Sequence, residues 1–173
     1  MYNFQNARKF FLIINLSCFI QAAKAQSAVV TYPRITGYVG AVIPIVSFSS
    51  NKPVYNFDGA FVGGLATGIN IWKSAKVGFS LEFAPFIKAD KAGSKMSNFL
   101  FQPGVLVALG KGYTFAGRAA FETSGRYGVT PVINKVVKRN KNSSYYVAIP
   151  LPVRFGNNQP ASIGFAFQFG VAF

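Results

Sequence analysis

The chain has 173 residues, of which 51% are hydrophobic, 16% aromatic and only 13% charged, with no histidine. A soluble globular domain carries roughly 25% charged residues, so half of the usual charged surface is missing and something other than water must cover part of the chain, while the length fits one domain better than two. Eighteen Lys and Arg stand against Asp58, Glu82, Asp90 and Glu122, a formal charge of +14.

Residues 1–25 read as an export signal, with Arg8 and Lys9 as the positive start, residues 10–20 as the apolar run, and Ala23-Lys24-Ala25 as a small-x-small cleavage site before Gln26. That run of eleven residues is shorter than the roughly twenty a spanning helix requires, which disfavours the alternative of a retained helix. Cys18, the one cysteine, raises another alternative, a lipoprotein acylated there, against which Asn15 stands where leucine is usual. Residues 26–173 then form a single domain without a thiol, so disulfides, cysteine nucleophiles and thiolate metal sites are excluded from it. Losing Arg8, Lys9 and Lys24 leaves fifteen bases against four acids, a charge of +11. An exported chain meets anionic lipid or lipopolysaccharide rather than nucleic acid, so the charge points to such a polyanion or to a plain solvated basic face.

Beyond the signal no stretch approaches eighteen uninterrupted apolar residues, and the periodicity is two. It predicts eight strands, over residues 34–47, 58–72, 77–88, 98–110, 113–122, 127–136, 145–155 and 161–173. In the third, Val77, Phe79, Leu81, Phe83 and Ile87 face one way and Gly78, Ser80, Glu82, Ala84 and Lys88 the other. In the fourth, Phe99, Phe101, Val105, Val107 and Leu109 oppose Leu100, Gln102, Gly104, Leu106 and Ala108. The seventh sets Tyr145, Val147, Ile149, Leu151, Val153 and Phe155 against Tyr146, Ala148, Pro150, Pro152 and Arg154. In the last, Ile163, Phe165, Phe167, Phe169, Val171 and Phe173 alternate with small or polar residues. Turn signals separate them at residues 73–76, 110–112, 123–126 and 156–160. Short, evenly spaced strands with tight turns imply an all-β antiparallel meander.

Which face lies inside decides the class. A soluble lipocalin-like barrel would bury the bulky face, but the smaller face carries Glu82, Gln102, Arg118, Glu122, Arg154 and Gln168. Large apolar side chains outside and polar ones inside is the arrangement of a transmembrane barrel, and closure leaves no strand edge in hydrocarbon. The expected architecture is an eight-stranded antiparallel up-and-down transmembrane β-barrel. Eight strands make a tube that interior side chains can fill. Glu82 and Glu122 are expected to pair there with Arg118 and Arg154, with Lys88 nearer a rim, closing the lumen; a gated ion path along these charges is the alternative.

The period-two strands, the segment Phe101-Gln102-Pro103-Gly104, the strand from Ile149 to Phe155 and the terminal Phe173 resemble the small outer-membrane β-barrel domain family. That family is related in architecture to the OmpA and OmpX barrels and is often labelled porin-like; the resemblance covers nearly all of residues 28–173. It implies the bacterial outer membrane and outer-membrane lipids as surroundings. It also implies a C-terminal signal for the barrel-assembly machinery carried by Phe165, Phe167, Phe169, Val171 and Phe173, unless Phe173 only anchors at the interface. By the family's topology both ends are periplasmic. Residues 48–57, 89–97, 123–126 and 156–160 then face outward, and residues 73–76, 111–112 and 137–144 face the periplasm. The basic connection with Lys135, Lys138, Arg139 and Lys141 would touch lipid phosphates or peptidoglycan-associated acids, or be a solvated turn.

Catalysis is not expected. Without histidine the usual base of membrane-barrel hydrolases is missing, and the carboxylates Glu82 and Glu122, which could suit glycosidase chemistry, have no substrate cleft in so narrow a tube. No cofactor and no metal is expected, since four scattered acids make a poor calcium site. Gly63-Gly64 lies within a strand, not in a phosphate-binding loop. Tyr32, Tyr38, Tyr55, Trp72, Tyr113, Tyr127, Tyr145 and Tyr146 are divided between interfacial girdles and the lumen. Aromatics among bases could also suggest single-stranded nucleic acid, which the export signal opposes. Two functions remain: a structural or envelope-integrity barrel, closed to solutes and in contact with lipopolysaccharide, or a small porin-like channel.

Overall fold

The computed structural model describes residues 30–50 and 52–173; the expected export signal, with Cys18 and the cleavage site, lies outside them. Among the described residues ten strands follow one another: β1 (Arg34–Ser49), β2 (Lys52–Tyr55), β3 (Ala60–Trp72), β4 (Val77–Asp90), β5 (Gly93–Gly110), β6 (Tyr113–Glu122), β7 (Tyr127–Arg139), β8 (Ser144–Pro150), β9 (Val153–Phe155) and β10 (Ser162–Ala172). All pairings are antiparallel. The sheet closes on itself where β10 pairs with β1, from Tyr38↔Ala172 to Ser49↔Ser162. The ladder continues past the strand ends through Gly37 and Phe173, whose amides each reach the other's carbonyl, at 2.8 and 2.9 Å. β8 and β9 together form one stave between β7 and β10, so the wall is a ring of eight.

The sequence expectation differs from this wall in three places. The expected 48–57 connection contains β2, which pairs with the last four residues of β1 (Val46↔Tyr55 to Ser49↔Lys52) where β3 has diverged. The expected 89–97 connection is mostly strand, because β4 and β5 continue to Asp90↔Gly93 and turn within two residues. The seventh expected strand is interrupted at Leu151-Pro152. Proline has no amide to give the ladder, and only two bonds stitch the gap: the Leu151 amide to the Pro131 carbonyl at 2.9 Å, and the Gly164 amide to the Pro152 carbonyl at 2.7 Å.

The ring has two rims. At the proximal rim β1 begins, β10 ends, and the turns at 73–76, 111–112 and 140–143 lie; the distal rim holds the turns at 91–92, 123–126 and 156–161 and the β1–β2–β3 connection. Alternation puts one face of each strand inside. Bulges reset that phase: the register skips Ile45 in β1, Ser97 in β5 and Val137 in β7. In β1, Val39 faces out at an odd position, but beyond the bulge Phe48 faces out at an even one.

Candidate functional site: the lumen

The interior is stacked in layers. Towards the proximal rim lies an apolar cluster of Tyr38, Trp72, Leu106, Ala116, Val132, Tyr146 and Ala148. Towards the distal rim lies a second, Val42, Ala66, Ala84, Leu100, Ala120 and Ala166 with Phe86 against it. Between them runs a polar belt. Arg118 of β6 sits 3.0 Å from the Glu82 carboxylate of β4, both deeply buried. The Tyr38 hydroxyl donates to Glu82 at 2.9 Å and accepts from Arg118 at 3.1 Å, while Arg118 also donates to Ser80 at 3.3 Å. Gln168 donates to Glu82 at 3.4 Å and to the Tyr146 hydroxyl at 3.2 Å. Gln102 donates to the Thr130 hydroxyl at 2.5 Å, and Arg154 reaches the same oxygen at 3.0 Å. Arg154 Nε donates to Glu122 at 2.6 Å, and so the belt climbs towards the distal rim.

All six residues singled out from the sequence for the lumen point inward: Glu82, Gln102, Arg118, Arg154 and Gln168 are buried, and Glu122 is partly so. Lys88 lies near the distal rim, half-exposed and 3.5 Å from Asp90. Each lumen carboxylate is held by its own guanidinium. Tyr38, Ser80 and Thr130 belong to the same network without having been assigned to it; Tyr38 shares phase with Thr36 and Gly40 on β1, but the bulge at Ile45 blurs that strand's pattern. Glycines make room for the large polar groups. A Cβ at Gly40 would lie 2.6 Å from the Tyr146 hydroxyl, and one at Gly104 would lie 2.6 Å from Arg118 Cγ. Outside the lumen, Arg126 ties the distal turns together, donating to the Arg154 and Pro160 carbonyls and to Ser162 at 3.0–3.2 Å.

The expectation that polar side chains fill the whole lumen is corrected. The proximal half holds a cavity of about 470 Å³ that ends on Tyr38, Arg118, Tyr146 and Gln168. Its wall includes Trp72, Leu106, Ala116, Val132 and Ala148, and Arg34 and Arg139 line it from the first and last residues of β1 and β7. The bulge at Val137 is what turns Arg139, rather than Lys138, inward: Arg139 pairs with Ser144, which also lines the cavity.

On the outside, Phe83, Phe101 and Phe121 form a stacked ridge across β4, β5 and β6, with centroid spacings of 5.0 and 6.4 Å. Phe165, Phe167 and Phe169 are exposed and Val171 is half-buried, while Phe173, also exposed, lines the cavity at the proximal rim. The tyrosines divide: Tyr38 and Tyr146 are inside with Trp72, Tyr32 and Tyr113 line the cavity at its rim, Tyr145 stands exposed near the proximal rim, and Tyr55 and Tyr127 near the distal one. Among the described residues the proximal rim gathers Arg34, Lys73, Lys76, Lys111, Lys135, Lys138, Arg139 and Lys141 and no acid. The distal rim mixes six cations with Asp58, Asp90 and Glu122.

No known family model and no curated protein matches the chain. Two solved structures are similar to it. One is described as the solution NMR structure of the de novo designed TMB2.3 (TM-score 0.44, 9% identity, covering 80% of this chain and 94% of that one). The other is described as de novo design of transmembrane beta-barrels (TM-score 0.43, 10% identity, covering 83% and 97%).

Proposed function

We propose that the chain is an integral β-barrel of the bacterial outer membrane with a structural, envelope-integrity role and a lumen closed to solutes. One observation carries the membrane reading. Phe165, Phe167 and Phe169 are 39, 38 and 47% exposed on the outer wall, whereas Glu82, Arg118 and Arg154 are 4, 8 and 7% exposed inside it. In water such a wall would be an apolar surface far beyond the few hundred Å² that soluble monomers expose. In a bilayer hydrocarbon covers it, and a closed ladder leaves no strand edge to satisfy. Exposed tyrosines near both rims suit the two interfaces.

Closure is supported by the belt of Glu82, Arg118, Tyr38, Tyr146 and Gln168, whose groups bond to one another across the tube. The partners proposed are outer-membrane lipids, lipopolysaccharide phosphates, and the barrel-assembly machinery, which would read Phe165, Phe167, Phe169, Val171 and Phe173. No nucleic acid, cofactor or catalytic role is assigned. The resemblance to the small outer-membrane barrel family supports an export route through residues 1–25 and a periplasmic proximal rim.

Two measurements test the reading. The refolded chain in vesicles should migrate faster on a gel before boiling than after; no such shift, with the protein left outside the lipid, overturns the membrane barrel. In planar bilayers no unitary conductance steps are expected. Steady steps would overturn the closed lumen and favour the second reading, a small porin-like channel, for which the proximal cavity would serve as the entrance.

A further inference from the structure

We propose that the proximal cavity is a binding site for a single-chain amphiphile with an anionic head. The volume of about 470 Å³ lies within the roughly 300–1,000 Å³ of small-molecule sites, which occur in the mouths of β-barrels. Its chemistry changes with depth. Arg34 and Arg139 stand at the mouth, on a rim that carries eight cations and no acid among the described residues. Concave walls bearing charge of one sign concentrate the opposite ion, and a guanidinium forks onto a carboxylate or phosphate. Below the mouth the wall mixes the apolar Trp72, Leu106, Ala116 and Val132 with the polar Thr114 and Asn134, so a hydrocarbon tail gains along its apolar side. Arg118 Nε and Asn70 Oδ1, on residues that line the cavity, are buried without a protein hydrogen-bond partner. The cavity ends at the polar belt, and its volume of about 470 Å³ suits one short chain rather than two.

The inference adds a ligand to the barrel proposed above and rests on its lumen ending at that belt. Conductance tests the belt and the experiment below tests the cavity, so either can fail alone.

Trp72 is the sole tryptophan and forms part of the cavity wall, so its emission reports occupancy. The full chain, refolded into phosphatidylcholine vesicles, is titrated with decanoate brominated at its tail. Saturable quenching is expected, reversed by unlabelled decanoate. The affinity should fall at least tenfold in the Arg34→Gln, Arg139→Gln double variant and for the uncharged brominated decanol, and the saturable component should vanish in Ala108→Phe, which narrows the cavity. Quenching that rises linearly with added probe and resists competition overturns the site, because it reports only chains dissolved in the bilayer. Equal affinity for decanol overturns the anionic head. If either variant fails to fold, competition and the decanol comparison in the unaltered protein still decide the matter.

Discussion

Glu82 receives Arg118, the Tyr38 hydroxyl and Gln168 at 2.9–3.4 Å. Removing one partner of a buried ion pair leaves the other charge uncompensated, which costs about 3–5 kcal/mol. Glu82→Ala should therefore destabilise the folded ring by about 3 kcal/mol or more in urea unfolding from vesicles, and an unchanged midpoint would dismiss the network. Replacing both partners, as in Glu82→Leu with Arg118→Met, should recover most of the loss, because no lone charge then remains inside. Gly104→Leu should also destabilise, since even a Cβ at this position meets Arg118 Cγ at 2.6 Å. The inward direction of Glu82, Arg118 and Arg154 was legible in the sequence, because one charged residue in an alternating strand fixes the phase of its neighbours. The belt's neutral members were not. A tyrosine such as Tyr38 serves equally well at an interface or in a lumen, and only the register that brings β1 beside β4's neighbour β3 places it against Glu82.

Along each strand the cost of a misplaced charge depends on its height. Phe167, midway along β10 and paired with Ile43, should cost roughly 2–4 kcal/mol when changed to Arg if it meets the bilayer midplane, whereas Ile35→Arg at the proximal rim should cost about 0–1 kcal/mol. Refolding yields and denaturant midpoints in vesicles measure the difference, and equal penalties would argue against lipid around the wall. Strand positions were readable because bulk alternated with small residues over long runs, as from Ile163 to Phe173. What could not be read were the bulges at Ile45, Ser97 and Val137. Each inserts one residue and reverses the alternation without any compositional mark. The facing of Arg139 into the cavity is a product of such an insertion, so the mouth of the proposed site was hidden even though its cations were in plain view.

The charge of the molecule is polarised from rim to rim, and this gives orientation a direct test. No cysteine occurs among residues 26–173, so single substitutions in the turns, Ala92→Cys at the distal rim and Asn142→Cys at the proximal rim, can each be labelled alone. An impermeant maleimide added to intact cells should modify the first at once and the second only after the outer membrane is opened; the reverse order would invert the proposed topology. Where Leu151-Pro152 interrupts the stave between β7 and β10, proline removes a donor and two bonds carry the seam. Bulges shift the register of other staves, but this one is broken into two strands. Amide exchange with heavy water should thus begin at residues 151–155 and their neighbours on β7 and β10, so that any sideways parting of the staves would start at that gap.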